Sequence, residues 1–548
     1  MATDFHTIKA RYEKSKSYMD KKNLISNTEK NWQMYMGKQW EAVEDSAGME
    51  TFPILNFIKP TVKYKVSTIA QHSVTALFSD LNAENYDIVS RLNDLFSISW
   101  EKAKMNRVAW RTLEHSAIQG DSYCYWGEGG DTRKPPQIIH NTQMRLGDEN
   151  ITDIQSQPWI IIEERLLLSV VRRRAEANGL TRDEIDEIKP DTDNDKSIFN
   201  KEEVDPKVTS LLYMEKDPKT GIVSIARCTE RIMYEQLKPL SQFRNGEALG
   251  VGLTLYPIVP MIWEEVPNNA RGTSEVEQLV PNQLELNKNL ARRSLSVKMT
   301  AFPRIAVDEA MVDNPEDLNK VGAVIKVNGA GSQSIQNMVS YLAPQAMSGD
   351  AKQLHDDLLE TTRGLAGASD TQLGNFELSR VSGTAAQIVR DQQQVPLNEQ
   401  VSMYQDFVEN VALLWFELWK TYYPNGVEMD GIVVNAEEIA KIVPNVRVDI
   451  AEDTSLSRMA SQQELTNLFN NNKITFEEYA SAYPEHSSIP KDILQTILQN
   501  RQQMAQMGQY PVDENGNPID DGLGGGSVNV GGASGTSYQG LQSQLRAK

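Results

Sequence analysis

The sequence predicts an α+β protein that is mainly helical. Three observations carry this. Long stretches repeat apolar residues at alternating spacings of three and four, the period of a helix face. The clearest runs from Asn398 to Tyr423, with Val401, Tyr404, Val408, Val411, Trp415, Leu418 and Tyr422 on one side and Pro424 and Gly426 as its stop. A middle block alternates strand-like and helix-like runs. The chain has 548 residues, 40% of them hydrophobic, and a mean hydropathy of −0.47. No segment approaches the ~18 uninterrupted apolar residues of a membrane span.

Residues 5 to 118 read mainly as helix. One long helix is expected from Asn85 to Ile118, with Ile88, Leu92, Leu95, Ile98 and Trp110 on its apolar side and Gly120 as its stop. "SYCYW" follows as a strand. "QPWIIIEERLLLSVVRRRAEANG" reads as a strand running into a helix. "VTSLLYMEK", the turn "DPKTG" and "IVSIARCTE" read as a β-hairpin.

Ser274 to Thr300 reads as a two-faced helix. Leu279, Leu286, Leu290 and Val297 fall within one narrow arc. Lys288 and Arg292 lie opposite, with Glu285 and Met299 beside them. From Phe302 to Val327 two short strands, "PRIAV" and "AVIKV", flank a turn-rich connection. A second helix from about Ala346 to Leu365 carries Met347, Ala351, Leu354, Leu358 and Leu365 near heptad spacing. Later, Thr475 and Glu478 make a capping box for "FEEYASAYP", and Pro490 suits the first turn of another helix. After Gly508 the glycine-rich composition cannot bury a core and is expected to be mobile in isolation.

The residues of known chemistries are missing. No Walker phosphate loop occurs, and "GVGLTL" at Gly250 lacks the third glycine of a dinucleotide site. The six histidines, His6, His72, His115, His140, His355 and His486, are scattered and read as surface or core-filling residues. Cys124 and Cys228 lie far apart and read as small buried hydrophobes in a reducing compartment. Asp191, Asp193, Asp195, Ile198 and Glu202 have calcium-loop spacing, but Lys196 takes the glycine position. An acidic surface loop is the better reading. The polar N-terminus has no secretory pattern. No catalytic, cofactor or metal site is expected.

The net charge of −20 argues against a general nucleic-acid binder. It does not argue against a DNA conduit, because an acidic wall repels phosphates and a few cations can centre a duplex without trapping it. Solubility of a large protein explains the same excess.

An ordered set of segments resembles the portal proteins of tailed bacteriophages. "NWQMYMGKQW" followed by "FPILNFIKPTVKYKVSTIA" is similar to that family's N-terminal motif through Tyr35, Gly37, Gln39, Trp40, Asn56 and Pro60. "AIQGDSYCYWGE" resembles its helix-to-strand step. "IVPMIWEEVPNNARGTSEVEQLVPNQLELNKNLARRSL" resembles the run into its first stem helix. "LLETTRGLAGASDTQLGNFELSRVSGTAAQIVRDQQQ" resembles its second stem helix and tunnel loop. "VRVDIAEDTSLSRMASQQELTNLFNNNKITFEEYASAYP" resembles its late strand and crown. The matches keep the family's order over roughly residues 25 to 500.

The resemblance implies a portal-type subunit. Its parts would be a helical and α/β wing over 1–273, a first stem helix over 274–300 and a β-containing clip over 301–330. A second stem region over 331–368, a tunnel loop over 369–395 and return elements over 396–455 would follow. A helical crown over 456–507 and a flexible tail over 508–548 would complete it. It implies a dodecameric ring at a capsid vertex, assembled in a bacterial cytoplasm and passing double-stranded DNA. Partners would be a terminase motor, head-completion or adaptor proteins, and capsid and scaffold proteins, with no membrane and no ATP hydrolysis by the subunit itself.

In such a subunit the DNA-facing candidates are Lys288 and Arg292 on the first stem helix and Arg380, Arg390, Gln387 and Gln393 in the glycine-punctuated segment after the second. An ordinary solvated helix face accounts for the same residues. Two other classes stand beside the portal reading: another virion structural protein, such as a tail or baseplate component, and a DNA-packaging enzyme.

Overall fold

In the computed structural model the described residues are 4–40, 53–70, 72–80, 85–127, 129–191, 206–244, 247–249, 252–301, 304–307, 339–342, 350–365, 395–452, 455–471, 473–475 and 479. The chain divides into two units, residues 1–451 and 452–548. The second contributes one described helix, Ser455–Asn470.

The first unit opens with α1 (Phe5–Lys21), α2 (Leu24–Met36) and α3 (Ile58–Ala70). Asp4 caps α1, its carboxylate accepting from the Thr7 amide at 3.0 Å. β1 (His72–Asp80) then interrupts the helical block expected over residues 5 to 118. It pairs with a strand at Pro444–Glu452, so no neighbour in sequence announces it.

The single helix expected from Asn85 to Ile118 is two helices, α4 (Tyr86–Lys102) and α5 (Met105–Gln119). Lys104 between them is left-handed at φ 53, which a right-handed helix cannot pass through. The Trp100 indole donates to Asn106 Oδ1 at 2.7 Å across the corner. The break lets both apolar faces reach one core, Leu92, Leu95 and Phe96 from α4 and Ala109 and Leu113 from α5.

β2 (Asp121–Tyr125), β3 (Gln137–His140), β4 (Met144–Leu146) and β5 (Trp159–Leu167) follow. β5 runs directly into α6 (Leu168–Ala177), and α7 (Arg182–Asp186) comes next. β6 (Lys207–Lys216) and β7 (Val223–Cys228) form the hairpin read from the sequence, and β8 (Met233–Pro239) extends it. Strands β4 to β8 make a five-stranded sheet in chain order. Its two faces sort by alternation. Ile160, Ile162, Leu212, Met214 and Ile225 face the main core. Trp159, Ile161, Leu211 and Tyr213 cluster with Ile8 of α1 on the other side.

β9 (Gln242–Arg244) and β10 (Glu247–Leu249) pair with each other, and β11 (Ile258–Ile262) joins β2 in a sheet ordered β11-β2-β3. Then come α8 (Glu275–Ala301), β12 (Arg304–Val307), β13 (Val339–Leu342) and α9 (Asp350–Leu365). β12 pairs antiparallel with β13, Arg304 opposite Leu342. The second strand expected at Ala323 to Val327 lies outside the described residues, and β13 was not foreseen.

α10 (Asn398–Tyr422) is the core helix its periodicity indicated. Trp415 and Trp419 are fully buried. Trp415 meets Phe96 at 5.1 Å and Trp100 at 6.0 Å between ring centres. No helix among the described residues is long and apolar enough to cross a membrane.

Candidate functional site

Three of the segments singled out in the sequence meet at the root of α8. Ser274 caps that helix, its hydroxyl oxygen accepting from the Val276 amide at 3.0 Å and from that of Glu277 at 3.4 Å. The same hydroxyl donates to the Ile118 carbonyl at 2.6 Å, tying the start of α8 to the end of α5. Glu275, in the first turn, suits the positive end of the helix dipole. Lys65 of α3 reaches it at 2.7 Å and the Trp263 indole at 3.3 Å.

Arg271 lies just before this cap and is almost fully buried. Its guanidinium grips Glu149 through two bonds of 3.0 and 3.1 Å. It also donates to Asp121 Oδ2 at 3.3 Å and to the carbonyls of Asn141 at 2.9 Å and Met144 at 2.7 Å. Tyr123 donates to the same Asp121 oxygen at 2.7 Å. Burial pushes the Asp121 carboxyl up, against the pull of Arg271 and the Tyr123 hydroxyl. Gly120 and Gly272 face each other where two segments of the chain cross. A Cβ on Gly120 would lie 2.4 Å from the Gly272 carbonyl oxygen.

Further along α8, two buried amides one turn apart hold an extended strap over residues 53–57. Gln283 accepts from the Phe57 amide at 3.0 Å and donates to the Leu55 carbonyl at 2.7 Å. Asn287 accepts from the Leu55 amide at 3.2 Å and donates to Gln39, which donates in turn to the Met34 carbonyl at 3.0 Å. Asn56 donates to the Tyr35 carbonyl at 3.0 Å. The Gln and Asn residues of α8 therefore dock the N-terminal motif. Replacing both, Gln283→Leu with Asn287→Leu, orphans backbone and amide groups of the strap. It is expected to cost about 2–4 kcal/mol and to speed amide exchange over residues 53–57. Unchanged exchange there would contradict the docking role.

Behind this root, Trp32, His115 and His140 cluster. The imidazoles lie 4.8 Å apart, and Trp32 meets His115 edge-on at 5.2 Å. Gln119 Oε1 accepts from the Trp32 indole at 3.3 Å and lies 3.0 Å from His140 Nδ1. The sequence read these histidines as scattered; the fold sets two of them side by side, their rings tilted by 37°. Burial, and then the charges of His140 and Arg111, hold His115 down at about 3. A His neutral when folded but protonated when unfolded gives stability that is complete above the ordinary value near 6.5. That stability is lost as pH falls toward about 3. His115→Phe is therefore expected to flatten the fall in unfolding free energy between pH 6.5 and 4 by roughly 3 kcal/mol. Parallel curves for variant and parent, from urea titrations, would contradict it.

The outer face of α8 carries Lys288 and Arg292. Both are exposed, at 43% and 62%, and both lean on Glu285, at 4.0 and 3.5 Å. The apolar stripe opposite is buried near the root, at Leu279 and Leu286. It emerges at its far end, where Val297 is 68% exposed. α9 packs beside α8. His355 and Thr362 of α9 are buried, while Asp356, Asp357 and Glu360 are exposed. Arg380, Arg390, Gln387 and Gln393 lie outside the described residues, as do the expected crown segments after Tyr479 and the glycine-rich tail.

Among the described residues no group of His, Cys, Asp and Glu is arranged to hold a metal ion. Asp191, first in the calcium-like run, accepts from the Thr209 amide at 2.8 Å and its hydroxyl at 2.7 Å. The rest of that run lies outside the described residues. Sequence reasoning missed Arg271, Asp121, Gln283 and Asn287 as a connected set. The one signal available was their position inside the quoted motifs.

No protein-family model matches the sequence, and no curated protein matches it. Solved structures do match. One is a chain described as "Virion of native gene transfer agent (GTA) particle", at 9% identity and a TM-score of 0.35, covering 83% of this chain and 89% of that one. Another is from "Neck of empty GTA particle computed with C6 symmetry", at 10% identity and a TM-score of 0.35, covering 86% of this chain and 99% of that one.

Proposed function

We propose that this chain is a portal-type subunit that assembles into a ring at a capsid vertex and passes double-stranded DNA during packaging and ejection. The observation that supports it is the convergence at the root of α8. Three separate segments that resemble portal motifs contribute Gln39 and Asn56, Gly120 and Asp121, and Arg271 through Asn287 to one interlocked site. Motifs that match by chance have no reason to dock on one another. The subunit then works mechanically. It holds a helix pair at its root and presents a DNA-facing segment containing Arg380, Arg390, Gln387 and Gln393, while another protein supplies the motor. The exposed Lys288 and Arg292 have two candidate partners in such a ring, the DNA on its axis and the next subunit.

Depletion tests this reading. Particles assembled by the parent system without this chain should contain no DNA. DNA-filled heads lacking a tail would favour a tail or baseplate component instead. ATP turnover by the purified chain would favour a packaging enzyme.

A further inference from the structure

α1 lies on the outer face of the five-stranded sheet through few apolar contacts. Of its apolar side chains only Ile8 and Met19 are fully buried. Ile8 sits in the small cluster with Trp159, Ile161, Leu211, Tyr213 and Cys228. The rest of the tie is polar and partly exposed. The Arg11 guanidinium stacks over the rings of Trp159 and Tyr213, at 5.8 and 5.7 Å. Tyr12 donates to Glu163 at 3.1 Å, and Lys9 donates to the Glu230 carbonyl at 3.3 Å. The groups on the sheet keep partners of their own when α1 leaves. Tyr213 donates to Glu215 at 2.6 Å, and Arg145 donates to Glu163 at 2.7 Å. Departure of α1 therefore strands no buried charge.

The link to α2 suits two conformations. Only Lys22 and Asn23 separate the helices. Lys22 is already right-handed at φ −86, whereas Asn23 is left-handed at φ 54, and its side chain makes no capping bond to α2. Turning Asn23 to the right-handed region would run α1 into α2 as one helix over residues 5–36. That change relieves the left-handed corner and pairs the last carbonyls of α1 with the first amides of α2. It gives up the burial of Ile8 and Met19. The two effects oppose each other, as a two-state element requires.

We propose that α1 is an arm hinged at Asn23, docked on the sheet in one state and continuous with α2 in the other. The inference goes beyond the portal reading and does not depend on it. α1 is itself the occupant of the sheet face, so the hinge decides what the molecule shows to its surroundings. Closed, the arm presents the polar side of α1, where Glu13, Lys14, Lys16 and Asp20 are exposed. Open, it uncovers an apolar surface around Trp159, Leu211 and Tyr213. A single backbone rotation thus switches a polar surface for an adhesive one.

The two cysteines supply the test. Both are free and fully buried, Cys228 in the cluster under α1 and Cys124 in the main core. Thiol labelling of the full chain under native conditions therefore times the arm against global unfolding. Cys228 is expected to be modified about 100-fold faster than Cys124, or more. Asn23→Ala penalises the left-handed corner and should raise the Cys228 rate about fivefold. Asn23→Gly relaxes the corner and disfavours the continuous helix, so it should lower that rate. Neither change should move the Cys124 rate. Equal rates at the two cysteines would overturn the inference, because only global unfolding would then reach Cys228. A Cys228 rate indifferent to both changes at Asn23, or one that moves only in parallel with Cys124, would overturn it as well.

Discussion

Arg271→Met is expected to lower the stability of the first unit by about 3–5 kcal/mol. The guanidinium makes five hydrogen bonds, to both carboxylates and two carbonyls around it. Methionine matches the length of the side chain and none of its donors. Asp121 is fully buried and Glu149 nearly so, at 1% and 11% side-chain exposure. Without Arg271 they become two adjacent carboxylates with little access to water. The loss should appear in urea unfolding and as faster amide exchange at the end of α5 and the first turn of α8. Arg271→Lys should recover only part of the loss, because an ammonium cannot span Glu149, Asp121 and two carbonyls at once. A change below ~1 kcal/mol in Arg271→Met would mean that the network does not hold the root.

Gly120→Ala is expected to be nearly as damaging, at about 3 kcal/mol or more. Two penalties combine. The residue sits at φ +97, which a side chain rarely adopts, and its Cβ would come within 2.4 Å of the Gly272 carbonyl oxygen. Gly179→Ala isolates the first penalty. Its φ is +83, and nothing lies within 4 Å of the added Cβ. That control should cost about 1 kcal/mol. Equal effects at the two positions would show that backbone strain alone matters and that the two segments do not cross tightly at Gly120.

Helices with a long, regular apolar repeat were legible in the sequence, because their own side chains state their period. α8 and α10 fall within a residue or so of the ranges read from spacing. The corner at Lys104 was not legible. It needs a left-handed lysine that no composition rule favours, and the apolar period continues through it. β1 was hidden for a different reason, since its partner strand lies at the far end of the unit. The candidate site was readable only as motifs. Gln39, Gln283 and Asn287 look like solvated polar residues until the fold buries them against backbone groups. Likewise, Asp121 and Glu149 are two among 75 acidic residues, and nothing local marks them as the pair that holds Arg271.

The proposed function depends on a ring, so the decisive measurement is particle imaging of the purified chain together with its mass in solution. The expected result is a closed ring, twelve-fold by family resemblance, with an axial hole wide enough for duplex DNA. A defined assembly of another architecture with no open channel would contradict the portal reading.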